Sequence, residues 1–264
     1  MMHGRSLANF VDDLQARGRY TFTREEVHQA FGAWTPATRA SLRRLADAGR
    51  IVRPRQGFYA IVPLEYRSAG SPPASWFIDD LMRYVEQPYY VGLLSAAALY
   101  GAAHQRAQEF QVVTDRPTRT LFVARLRIRF LQSTRVRERP VRQVKTETGS
   151  IRVSTPEATA LDLVHYLAPA GQMDHVATVL SELADVLDPE ELTRLADTAA
   201  SVEVRRLGYL LELVGATKAA DGLADALGTL DKARPLEPGL PQRGAERNAR
   251  WGLYVNAAIE PDEV

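Results

Sequence analysis

The chain has 264 residues, 45% hydrophobic and 25% charged, enough apolar material for one large core or two ordinary ones, which excludes wholesale disorder. It contains no cysteine, which excludes a disulfide framework, thiolate metal sites, a redox pair and a cysteine nucleophile. The net charge of +1 hides an asymmetry: residues 1–67 carry 11 basic against 6 acidic side chains, residues 68–150 carry 12 against 7, and residues 151–264 carry 10 against 19. Basic regions concentrate polyanions such as nucleic acid, whereas an acidic region more often faces solvent or a protein.

The first ten residues lack the apolar stretch of a signal peptide. No apolar run approaches the roughly 20 residues that span a bilayer. A cytoplasmic location and no membrane partner are therefore expected.

Taken in chain order, Ser6 is placed to cap a helix over residues 7–16, with Leu7, Phe10, Val11 and Leu14 on one stripe. Thr23 and Glu26 have the spacing of a capping box and open a second helix that Gly32 ends. Thr35 and Pro36 start a third helix, with the threonine as N-cap and the proline at the first helical position. It runs to about Ala48, before Gly49. The period then changes. Residues 51–53 and 58–62 read as strands around the turn Pro54-Arg55-Gln56-Gly57. Three short helices followed by a hairpin are the layout of a winged helix-turn-helix, assigned to residues 1–66.

Residues 67–75, RSAGSPPAS, read as a short linker into a larger domain over 67–264. That domain opens with helices at 76–85 and 90–100. It continues strand-rich over 105–154, with strands at 110–114, 120–123, 126–131, 141–146 and 150–154. It turns helical over 156–225, and residues 228–250 read as loop before a last strand within 251–257. The expected class is α+β: an N-terminal winged helix, then a larger mixed α/β domain with a small sheet and a helical half.

The third helix carries the first candidate site. Leu42, Leu45 and Ala46 share the side expected to pack on the first two helices, with Thr38 beside them. Ala37, Ala40, Arg44 and Asp47 lie opposite, flanked by Ser41 and Arg43. A recognition helix needs small or polar residues where its backbone nears base edges, and guanidinium groups for phosphate or guanine. The candidate DNA-binding residues are therefore Thr35, Ala37, Arg39, Ala40, Ser41, Arg43 and Arg44. Arg53, Arg55 and Gln56 on the hairpin suit a wing reaching phosphate or the minor groove. A solvated, arginine-rich helix used for protein contacts is the bland alternative.

A second basic stretch spans residues 116–145, with nine Arg and one Lys against a single acid, Glu138. Arg125, Arg127 and Arg129 alternate with apolar residues, so a strand would put all three on one face. Such a row suits a phosphate backbone or an acidic partner surface, or is simply the solvent face of a half-buried strand.

Catalytic signatures are missing. The five histidines are not in zinc spacing, and there is no GxSxG, P-loop or GxGxxG. Asp162 has no paired acid for a two-metal site, and Asp79 and Asp80 read as surface acids on a helix. Thr155-Pro156-Glu157 reads as a well-capped helix start, and His165 as a capping or core residue. No metal, no cofactor and no enzymatic activity are expected.

Four segments, LADAGRIVRPRQGFYAIVP, VGLLSAAALYG, GSIRVSTPEATALDLV and RWGLYVNAAIE, occur here in that order. Together they resemble the AbiEi family of bacterial antitoxins, partners of nucleotidyltransferase-like toxins in type IV toxin–antitoxin systems. The resemblance implies a non-catalytic, two-domain cytoplasmic protein. Its winged helix would bind inverted repeats of double-stranded DNA in its own promoter and repress it; by their symmetry such two-fold operators would need two copies of the chain, a dimer on DNA. Its larger domain would counter the toxin, directly or functionally. On this chain the DNA-binding role would fall on the third helix and the wing at Arg53 to Gln56. The alternative from another class is a ligand-responsive winged-helix regulator without a toxin partner.

Overall fold

The computed structural model describes residues 6–32, 34–102, 109–230 and 232–261. His3, His104 and the first residues of the expected strand-rich stretch, 105–108, lie outside them. The chain divides into two compact units, the first formed by residues 1–90, 108–138 and 143–152, the second by 91–107, 139–142 and 153–264.

The first unit opens with a winged helix. Helix α1, Leu7–Ala16, is capped by Ser6, whose side chain accepts from the Asn9 amide at 3.1 Å. A short strand β1, Thr21–Thr23, leads into α2, Arg24–Phe31. The expected capping box is present: the Thr23 hydroxyl accepts from the Glu26 amide at 3.2 Å, and the Glu26 carboxylate accepts from the Thr23 amide at 2.8 Å. Helix α3, Pro36–Asp47, follows, then β2, Ile51–Arg55, and β3, Phe58–Ile61. The three strands form an antiparallel sheet in the order β1–β3–β2. Strand β2 runs through Pro54, with a register irregularity between Val52 and Arg55 that accommodates a residue lacking an amide donor.

The apolar stripes of the three helices meet over this sheet. Phe10 stands edge-on to Phe22 and Phe31, and Phe22 stacks on Tyr59 at 5.0 Å. Val11, Val27, Leu42, Leu45, Ile51 and Ile61 fill the same core. Ala46, expected on the packing side of α3, is exposed; the helix is held down by its two buried residues, Leu42 and Leu45.

Beyond the winged helix, a 3-10 turn at Ala74–Trp76 precedes α4, Ile78–Tyr84. The expected helix at 90–100 is shorter than predicted. Its first residues form strand β4, Tyr89–Val91, and α5 spans only Leu93–Leu99. A continuous apolar run has no period to mark where a buried strand ends and a helix begins. Strands β5, Phe110–Thr114, β6, Leu121–Val123, β7, Leu126–Gln132, β8, Val141–Thr146, and β9, Gly149–Ser154, complete a six-stranded sheet. Its order is β6–β7–β5–β4–β9–β8, with β5 parallel and β6 antiparallel to β7.

The second unit takes in α5 and is mainly helical: α6, Pro156–His165, α7, Gln172–Leu183, α8, Pro189–Ala196, α9, Ser201–Leu213, and α10, Thr217–Leu227. Helix α6 is buried over nearly its whole length, as its apolar sequence requires. The expected loop at 228–250 contains two short strands, β10, Arg234–Pro235, and β11, Glu246–Asn248, which flank β12, Leu253–Val255. Trp251 is fully buried, and its ring fills the space above Gly208 on α9 that a Cβ would occupy. Among the described residues no helix is long and apolar enough to cross a membrane.

Candidate nucleic-acid interface

Helix α3 is built as its sequence dictates. Thr35 accepts from the Thr38 amide at 3.1 Å, and Pro36 occupies the first helical position. With Leu42 and Leu45 buried, Thr35, Ala37, Arg39, Ala40, Arg43 and Arg44 are exposed and Ser41 is half-buried. The helix start thus offers short side chains, which permit close approach to an anionic backbone. The next turn offers three guanidinium groups. Arg44 donates to the Ser41 hydroxyl at 2.8 Å, and Arg43 lies 3.7 Å from Asp47. Both links are exposed, so breaking them costs about 1 kcal/mol or less. These side chains are free to be recruited.

The wing is more constrained. Burial pushes the Tyr59 hydroxyl up from its ordinary pKa, while the nearby charge of Arg53 pulls the other way. Arg53 and Arg55 are exposed, as is Gln56 at the tip. The Gln56 carbonyl accepts from the Tyr84 hydroxyl of α4 at 3.1 Å, and Phe58 lies against the Tyr84 ring. Gly57 has a φ of +82°, and a Cβ there would meet the Tyr84 hydroxyl at 2.5 Å. Glycine is required on both counts. Strand β2 also lies beside β6. The hairpin is a braced element rather than a free arm, and the brace fixes the backbone from which its exposed arginines project.

The second basic stretch is arranged differently from the expected row. Arg125 stands in the turn before β7, so the strand carries only Arg127 and Arg129. These two share a face, and both bind one carboxylate: Glu109 lies 3.1 Å from Arg127 and 3.1 Å from Arg129. Glu109 is largely buried, and Arg127 also stacks over Phe122 at 5.9 Å. The pair is therefore partly neutralised. Its acid precedes the arginine-rich stretch in sequence and reaches the two arginines only in the folded sheet.

The groups considered for catalysis are committed elsewhere. Asp162 is buried and bound by the guanidinium of Arg139. His165 Nδ1 lies 2.7 Å from the Glu203 carboxylate. Asp79 takes the hydroxyl of Tyr89 at 2.7 Å. The buried Glu157 accepts from the Asp188 amide at 3.0 Å. Among the described residues no group of three His, Asp or Glu side chains is placed to hold a metal ion.

Comparisons with known proteins match two separate segments of the chain. A family model described as "Transcriptional regulator, AbiEi antitoxin" matches residues 9–62, which are the winged helix. A second, described as "AbiEi antitoxin C-terminal domain", matches residues 90–213. The crystal structure of the RV2827C protein from Mycobacterium tuberculosis superposes with a TM-score of 0.67, covering 93% of this chain and 89% of that one, at 15% identity. At that identity the likeness shows the fold. No curated protein matches the chain.

Proposed function

Because the chain belongs to the AbiEi antitoxin family, we propose that it is the antitoxin and autorepressor of a bacterial toxin–antitoxin operon. Its toxin in this reading is a nucleotidyltransferase-like enzyme, and the chain acts in the cytoplasm without catalysis of its own. The observation that carries the DNA half is the exposed face of α3. Arg39, Arg43 and Arg44 project beyond a start of short side chains, inside the segment matched by the regulator model. Arg53, Arg55 and Gln56 on the braced wing supply the neighbouring contacts. An inverted-repeat operator presents two half-sites, so repression engages two copies of the chain.

The antitoxin half rests on the second family match, over residues 90–213. The test separates the two halves. The adjacent toxin gene is expressed alone and with the full chain, both from unrelated promoters, so that repression cannot account for rescue. Restored growth supports the antitoxin; unrelieved toxicity overturns it. In parallel, the chain is titrated onto its own upstream region and onto a scrambled duplex at fixed salt. A preference of at least about a thousandfold is expected of a specific repressor, and equal affinities overturn the autorepressor.

A further inference from the structure

Behind the wing, within the first unit, is a cavity of about 540 Å³. Its apolar lining comes from the half-buried Val85, Leu121 and Phe130, with Leu81 and Met82 of α4 almost fully covered. Its mouth holds three arginines, Arg55 from the wing and Arg116 and Arg119 from the loop between β5 and β6. We propose that this cavity binds a small amphipathic anion, an oxyanion carried on a short apolar body, held by Arg55, Arg116 and Arg119 against Val85, Leu121 and Phe130.

The volume is in the range of small-molecule pockets, about 300–1,000 Å³. Among the described residues neither Arg55 nor Arg119 has an ion-pair partner, and Arg116 has only Asp115 at 3.8 Å. Three arginines lining one cavity, with a single acid 3.8 Å from one of them, leave an excess of positive charge, which a carboxylate, sulfonate or phosphate satisfies through paired N–H donors. The loop that carries two of them is held in shape: Pro117 restricts its backbone, and the Thr118 hydroxyl donates to the Arg116 carbonyl at 3.1 Å. Less ordering is then needed on binding.

The floor decides the class of ligand. An inorganic anion would leave the apolar wall wet, and a neutral apolar molecule would leave the arginines unanswered. A DNA phosphate likewise has no apolar body to seat on Val85, Leu121 and Phe130. A small molecule with both parts uses the whole cavity.

Arg55 belongs to the wing as well as to this mouth. An occupant that holds its guanidinium withdraws it from DNA, and linkage makes the effect mutual: the ligand lowers DNA affinity by the factor by which DNA lowers ligand affinity. That consequence rests on the DNA-binding reading; the binding site itself does not.

The test uses the full chain and a fluorescent amphipathic anion, anilinonaphthalene sulfonate, titrated without DNA or toxin. Octanoate is expected to displace the probe, whereas octanol and inorganic phosphate at the same concentration are not. Arg116→Ala combined with Arg119→Ala is expected to weaken probe binding about tenfold or more, and Arg43→Ala, on α3, to leave it unchanged. The proposal is overturned if the double variant binds the probe as well as the parent. It is equally overturned if phosphate or a random duplex displaces the probe as effectively as octanoate, which would make the arginines a general anion surface.

Discussion

The winged helix and the second unit use the same residue for opposite purposes. On α3 and the wing, Arg39, Arg43, Arg44, Arg53 and Arg55 stand in solvent, with bonds only to neighbours that are cheap to leave. In the second unit, three buried or largely buried arginines are structural. Arg205 and Arg206 on α9 are 3% and 9% exposed. Arg205 donates to the Lys232 carbonyl at 3.1 Å, and Arg206 donates to the Leu236 and Pro235 carbonyls at 2.9 and 3.1 Å, tying the C-terminal strands to the helix. Arg139 holds the buried Asp162 on α6. A high arginine count therefore says little by itself. What separates a binding arginine from a structural one is whether its donors are already spent on groups that cannot reach water.

The largest test of that contrast is Arg139→Ala. It leaves the Asp162 carboxylate buried without its cation, and a loss of about 3–5 kcal/mol is expected in urea unfolding. Arg43→Ala should change stability by less than about 0.5 kcal/mol. Comparable losses in the two variants would erase the distinction. Next in size is Gly208→Ala. The added methyl falls on the indole of Trp251, whose Nε1–H donates to the Glu212 carboxylate and fixes the ring. A loss of about 2–3 kcal/mol is expected from overpacking, and a melting temperature equal to the parent's would show that Trp251 can move aside.

On the exposed side of the comparison the effect moves from stability to DNA. Arg43→Ala, Arg44→Ala and Arg55→Ala are each expected to weaken operator binding. Each is also expected to lower the slope of log affinity against log salt by about 0.9 for every phosphate the variant no longer neutralises. Stability should be unchanged in all three. Parent-like affinity and slope in every variant would put the DNA surface on another part of the chain.

Much of this was legible in the sequence where the signal is local. Ser6, Thr23 with Glu26, and Thr35 with Pro36 each cap the helix their spacing predicts, because a cap is made by residues three apart. Strand β1 was not legible. Its three residues end in the Thr23 cap and become a strand only by pairing with β3. The split of 90–100 into β4 and α5 was hidden by a run that is apolar throughout. The exposed face of α3 follows from helical periodicity, so those candidate residues could be named in advance. The brace of Tyr84 on Gln56, the capture of Arg127 and Arg129 by Glu109, and the joining of Arg55 to Arg116 and Arg119 all link distant positions. Such links leave no trace in spacing. The charge pattern marks the arginines but not the carboxylate that engages two of them.

The smallest expected effect concerns His165 and Glu203, an ion pair at the end of α6 that is open to water on one side. The hydrogen bond to Glu203 raises the His165 pKa above its ordinary 6.5, against the opposing effect of burial. Burial pushes Glu203 upward, but His165, through its hydrogen bond and charge, holds it below its ordinary 4.5. The histidine's contribution is complete below 6.5 and disappears as pH rises through its raised value. The carboxylate's contribution is complete above 4.5 and disappears as pH falls through its lowered value. The pair therefore stabilises the fold most between about 4.5 and 6.5. His165 is 47% exposed on its side chain, so solvent screening keeps the gain to about 0.5 kcal/mol. His165→Gln should open a stability gap from the parent near pH 5.5 that narrows by about pH 8.5. A gap that stays constant across this range would mean that His165 contributes by packing against Tyr166 and not by charge.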